Sequence, residues 1–155
     1  MIRQLHPFHS NLKKRLVKSP KIYLRDSGLL HSLLRLQQVE DLAGHPSLGA
    51  SWEGWVIEQT LAVIPAAWTP WFYRTSAGAE MDLVLQRPGQ KPPLALDVKY
   101  SLNPVPTKGF WSALTDLSPA KAYVVYPGKE SYPLNGGVWT LPVSQLCDLI
   151  QSLES

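Results

Sequence analysis

Apolar and polar positions change period several times along this chain, and the changes mark its elements. Residues 1–20 are polar, basic and proline-containing, and read as an N-terminal arm. KIYLRDSGLLHSLL (residues 21–34) predicts a short extended piece and then a helix capped by Asp26 or Ser27. VEDLAGHPSLGA (39–50) reads as loop. SWEGWVIEQTLAVI (51–64) predicts a helix opened by Ser51 and stopped by Pro65. Three strands follow: WFYRTS (71–76), AEMDLVL (79–85) and LALDVKY (94–100). An AG turn and the stretch QRPGQKPP separate them. A helix is expected over 107–117, a fourth strand over 121–127, and a loop with an edge strand over 131–141. A closing helix over 143–153 has Pro142 near its first turn. The order helix, three strands, helix, strand, helix predicts an α/β domain with a mixed central sheet flanked by helices.

Two of these strands carry acids, which strands normally avoid. A buried carboxylate costs several kcal/mol unless something pairs with it. By strict alternation Met81, Leu83 and Leu85 share one face, with Glu80, Asp82 and Val84 on the other. Likewise Leu94, Leu96 and Val98 oppose Ala95, Asp97 and Lys99. The short turn between the strands predicts antiparallel neighbours, with Asp82 and Asp97 converging near their ends. On the preceding helix Glu53 falls on the apolar arc with Val56, Ile57 and Ile64. Glu58 lies about 140° away, so Glu53 is the acid better aimed at the sheet.

Two carboxylates held close repel each other, and a divalent cation relieves the repulsion. Glu53, Asp82 and Asp97 therefore suggest a site for Mg²⁺ or Mn²⁺ that activates water against a phosphodiester, with Lys99 stabilising developing charge. The alternative is structural: a cross-strand salt bridge between Asp82 and Lys99 and an Asp that merely ends a strand.

Composition narrows the setting. The 155 residues suit one domain. The formal net charge is +3, and much of the excess sits in Lys13, Lys14, Arg15, Lys18, Lys21 and Arg25. This run reads either as a solvated surface or as a contact for nucleic acid or an acidic protein. Cys147 is the single cysteine, which rules out an intrachain disulfide and a thiolate zinc site and suits a small core residue. No apolar stretch approaches a membrane span, and the first residues lack a signal-peptide core; a cytoplasmic protein with no membrane partner is expected. His6, His9, His31 and His45 are scattered without metal-ligand spacing. Six tryptophans, Trp52, Trp55, Trp68, Trp71, Trp111 and Trp139, suggest core or interface anchors, or a surface on which bases stack.

Taken together, KRLVKSPKIYLRDSGLLHSLL, LGASWEGWVIEQTL, FYRTSAGAEMDLVL and ALDVKYS resemble an uncharacterised domain at the C-terminus of bacterial and archaeal AAA-type ATPases. That domain resembles the PD-(D/E)xK nuclease superfamily, and the likeness covers roughly residues 5–145. It implies a restriction-endonuclease-like core over residues 21–155. Residues 1–20 would then be the basic remnant of a preceding winged-helix segment. It assigns Glu53 as the helix acid, Asp82 as the first strand acid and Asp97-Val98-Lys99 as the (D/E)xK element. Met81 stands where the superfamily pattern has Pro, and Asp97 where Glu is more usual. Lys108 would begin a helix that in such nucleases can approach the nucleic-acid backbone. DNA as substrate and a homodimer as assembly are further implications. The chain lacks the G-x-x-x-x-G-K-[ST] phosphate loop, so ATP hydrolysis by that route lies outside it. The leading expectation is a metal-dependent nuclease-like domain acting on DNA. The alternative is a non-catalytic accessory module of an AAA-type ATPase that binds nucleic acid or protein.

Overall fold

The computed structural model describes residues 1–9, 14–89 and 92–154. Its framework is a five-stranded mixed sheet in the order β3-β4-β5-β6-β7. β3 (Thr69–Arg74), β4 (Glu80–Gln86) and β5 (Leu94–Val98) form an antiparallel meander, and β6 (Lys121–Tyr126) and β7 (Val138–Pro142) continue parallel to β5. The parallel step from β5 to β6 requires a crossover, which α4 (Lys108–Leu117) supplies. Thr107 caps α4 by accepting the Phe110 N–H, and Phe110, Ala113 and Leu117 form its buried stripe.

The sheet separates two apolar layers. On one face α3 (Leu48–Val63) and α5 (Leu146–Gln151) bring Val56, Ile57, Leu146 and Ile150 against Leu83, Leu85, Leu94, Leu96 and Val98. On the other, α4 packs against Tyr73, Met81, Val84, Ala95 and Val124. Every residue of β5 is buried, as expected of a central strand covered on both faces. That double coverage explains why the two acid-bearing strands read as nearly continuous apolar runs.

A two-stranded antiparallel sheet lies beside this framework: β1 (Ile2–Leu5) pairs with β2 (Lys21–Leu24), and Leu5 opposite Lys21 is buried in the core. Residues 6–8 follow β3, the Phe72 N–H donating to the His6 carbonyl and the Phe8 N–H to the Phe72 carbonyl. Next come α1 (Ser27–Leu33), capped by Asp26, and α2 (Val39–Ala43).

Three details differ from the sequence pattern. The stretch at 39–50 is helical at both ends. Gln38 and Asp41 form a reciprocal cap that starts α2, and α3 begins at Leu48, leaving Ser51 inside the helix. There Ser51 Oγ meets His31 Nε2 at 2.7 Å, tying α1 to α3. Finally, strict alternation fails in β4. Trp71 pairs with Val84 but Tyr73 with Met81, so two steps of β3 span three of β4. This bulge turns Met81 to the α4 side with Val84, and Asp82 to the α3 side with Leu83.

Gly109 marks the tightest approach between α4 and the sheet. A Cβ there would lie 2.4 Å from the backbone carbonyl oxygen of Gly78. Gly109→Ala is expected to lower the unfolding free energy in urea by about 2 kcal/mol, since backbone cannot yield as a side chain does. An unchanged midpoint would show that α4 shifts freely.

Candidate functional site

Lys21 and Tyr23 stand two positions apart on β2 and face α3 together. Gly54 permits this: a Cβ at that position would come within 3.2 Å of the Tyr23 ring. The Tyr23 hydroxyl donates to Glu53 Oε1 at 2.5 Å. Lys21 Nζ lies 2.9 Å from Glu53 Oε1, 3.1 Å from Glu80 Oε1 and 3.2 Å from Asp82 Oδ1. The β4 bulge is what brings Asp82 to this side. Arg74 pairs with Glu80 at the margin.

Beyond Leu83 and Leu96 the β4–β5 ladder ends, and the Asp82 side chain takes over: its Oδ2 accepts the Val98 N–H at 3.0 Å. Asp97, only 3% exposed, has Lys99 Nζ 2.9 Å from its Oδ2. Lys99 is thus the partner of an oxygen otherwise sealed from solvent. Glu53, Glu80, Asp82, Asp97, Lys99 and Tyr100 line a cavity of about 410 Å³.

The electrostatics follow from burial and proximity. Burial disfavours the charged form of Lys21, but Asp82, Glu53 and Glu80 together raise its pKa above the ordinary lysine value. Burial, reinforced by the Glu53 carboxylate, raises the Tyr23 hydroxyl and keeps it a donor. Burial and then the Asp82 charge push Asp97 up to about 8, against the opposing pull of Lys99. Burial opposes the charged form of Lys99 most strongly, but Asp97, Asp82 and Glu53 together raise its pKa.

The four residues singled out from sequence, Glu53, Asp82, Asp97 and Lys99, thus share one cavity, but not as a metal centre. Among the described residues no group of three or more His, Cys, Asp or Glu side chains is placed to hold a metal ion. This overturns the expectation of Mg²⁺ or Mn²⁺ held by Glu53, Asp82 and Asp97, and with it metal-dependent hydrolysis of DNA. The physical reason is Lys21, whose ammonium takes the central place among the carboxylates. Glu58, correctly read as the acid turned elsewhere, binds Arg3 and Arg25.

Lys21 was legible only as part of a basic run. Within that run Lys14 pairs with Asp116, Arg25 with Glu58 and Lys21 with the site, while Lys13 lies outside the described residues. The alternation of Lys21 and Tyr23 in an extended segment is the signal that marks them as a pair facing one side. Of the other residues, His45 bonds Ser47, and Cys147 is a free, half-buried thiol. Among the described residues, no helix is long and apolar enough to cross a membrane.

Lys21→Met removes one partner of a buried ionic group and leaves three carboxylates facing one another. It is expected to cost about 3 kcal/mol in urea unfolding, and Glu53→Gln added to it should restore part of the loss. For Asp97, the raised pKa gives a stability contribution present below its unfolded value near ~4 and lost as pH rises to about 8. Asp97→Asn has no such loss. The difference in unfolding free energy between variant and wild type should therefore move in the variant's favour across that window, by a few kcal/mol at the most, then level off. A difference independent of pH would show Asp97 to be ionised throughout.

Residues 48–146 match a family model described as a domain of unknown function, DUF4143, and residues 1–40 match a second, DUF8612. Two curated relatives, uncharacterized proteins of Mycobacterium tuberculosis and Mycobacterium bovis, are each 41% identical over 146 residues. These matches cover 94% of this chain but 32% of each relative, so the chain spans about a third of their length. No solved structure matches. Glu53, Asp82, Asp97 and Lys99 come from the DUF4143 segment, whereas Lys21 and Tyr23 come from the DUF8612 segment, so the site is assembled across both. With that model spanning most of its residues, from α3 to the start of α5, this chain belongs to the DUF4143 family of domains of unknown function.

Proposed function

We propose that this chain is a non-catalytic accessory module, carried by or attached to an AAA-type ATPase, whose work is to bind a protein partner. The observation that carries this reading is the Lys21 ammonium among Glu53, Glu80 and Asp82. An internal cation meets the electrostatic demand of the acids and leaves them a structural and recognition role. The order of α3, an antiparallel meander, α4 and a parallel β6 supports a restriction-endonuclease-like core beneath it. Such a fold keeps its acids without committing the domain to chemistry.

Protein is favoured over nucleic acid on charge. Lys14, Lys21 and Arg25 of the basic run are engaged by internal acids, which weakens a phosphate-binding stripe. The cavity is lined by four carboxylates, which repel phosphate. Relatives about three times as long support a module that works beside other segments.

Co-expression of this chain with the part of the Mycobacterium tuberculosis relative that lies outside the match tests the reading. A complex that survives size-exclusion chromatography, hydrolyses ATP and retains no duplex DNA is the expected result. Failure to form a complex sinks the protein-docking reading, and DNA retention by the isolated chain replaces it with nucleic-acid binding. A complex without ATP hydrolysis removes the ATPase link.

A further inference from the structure

Two members of the basic run, Lys14 and Arg15, meet two other elements around another cavity, of about 230 Å³. Thr75 and Ser76, in the turn between β3 and β4, line one side and Ser112 of α4 lines another. Ala77 and Ala79 supply an apolar wall. Main chain holds the arm in place here. The Ser76 N–H donates to the Arg15 carbonyl at 2.9 Å and the Val17 N–H to the Arg74 carbonyl at 3.0 Å, and Leu16 bridges Thr75. The walls are therefore set before any ligand arrives, which lowers the entropy lost on binding.

The polar groups around this cavity are donors. Among the described residues the Arg15 guanidinium and the Ser76 and Ser112 hydroxyls have no hydrogen-bond or ion-pair partner. Thr75 is buried, and its Oγ1 accepts the Ala79 N–H at 3.1 Å, which leaves its own proton to donate. Lys14 pairs with Asp116 but is half exposed and has further N–H groups to give. Asp116 does not oppose an incoming anion, because Lys14 holds one of its oxygens and the Tyr73 hydroxyl donates to the other at 2.9 Å. Lys108, without an ion-pair partner among the described residues, stands one turn before Ser112 on α4 and adds positive charge. No carboxylate lines the cavity among the described residues.

We propose that this cavity binds an acidic side chain, glutamate or aspartate, of the protein partner. The Arg15 guanidinium would take the two carboxylate oxygens as a fork, with Lys14 and the Ser76 and Ser112 hydroxyls as further donors. The methylenes of the acidic side chain would lie on Ala77 and Ala79. A nucleic-acid backbone is disfavoured, since it calls for cations along a track, and Lys21 and Arg25 further along the run are held by internal acids. This inference rests on the accessory-module reading and names the chemistry of its partner.

The probe is a capped Gly-Glu-Gly tripeptide titrated into the whole chain. It is read by the ¹H–¹⁵N resonances of the Ser76 amide and the Arg15 Nε–H, the latter assigned with Arg15→Gln. The control peptide carries glutamine, which keeps the shape and loses the charge. Expected is a saturable shift with the glutamate peptide and binding about tenfold weaker with glutamine. Arg15→Gln should weaken the glutamate peptide by a similar factor at the Ser76 amide. Lys129→Gln, which removes a charge from the loop after β6, should leave it unchanged. Equal binding of the two peptides, no saturable shift, or an equal loss in both variants would overturn the proposal. Tighter binding of a single-stranded oligonucleotide at the same resonances would overturn it too and assign the cavity to phosphate. The co-expression complex separates the two ideas. A complex that forms equally well with Arg15→Gln, beside a silent tripeptide titration, refutes capture of an acidic side chain and leaves the module reading standing. Absence of the complex with the unaltered chain removes the module reading itself.

Discussion

One ammonium group organises this molecule. Lys21 reaches from β2 into a gap bounded by Glu53 of α3 and by Glu80 and Asp82 of β4, and its charge is what lets those acids sit together, with Asp82 buried. Desolvation opposes the arrangement, and the surrounding carboxylates overcome it, as the raised pKa of Lys21 records. Tyr23 adds a hydroxyl to Glu53, and the Phe72 ring lies 5.7 Å below the ammonium. A second clamp, Arg3 of β1 and Arg25 just after β2 on Glu58, ties the two-stranded sheet to the same helix five residues further along. The small sheet is thereby fastened to the large one through charge as well as through Leu5.

The site departs from regular structure where it concentrates charge. The β4 bulge moves Asp82 out of strict alternation, and its carboxylate then replaces a ladder partner for Val98. Asp97 is buried beside it at an energetic cost, with a carboxyl that holds its proton to about pH 8. Glu53 and Asp82 are met by Lys21, and Asp97 Oδ2 by the Lys99 ammonium.

Much of the architecture was legible in the chain. The short apolar runs WFYRTS, AEMDLVL and LALDVKY, the turn chemistry between them and Pro65 after a long apolar helix fix local conformation within a few residues, so the element order emerges. The acids were visible for the same reason: Asp82 and Asp97 are out of place in strands. What pairs with them was not. Lys21 looked like one of several surface cations because local pattern carries no information about which charges meet across a sequence separation of 61 residues. The face of Met81 was misread because a bulge depends on the pairing of two strands, not on either strand alone.

The sequence by itself therefore determined the mixed α/β class, the order of its elements and the presence of acids in two buried strands, since these follow from short-range periodicity and the cost of burying charge. Only the tertiary structure decided what neutralises those acids. Docking β2 against α3 placed an ammonium where a metal ion was expected, because charge compensation is a property of atoms brought within about 3 Å by the whole fold and of no local stretch of chain.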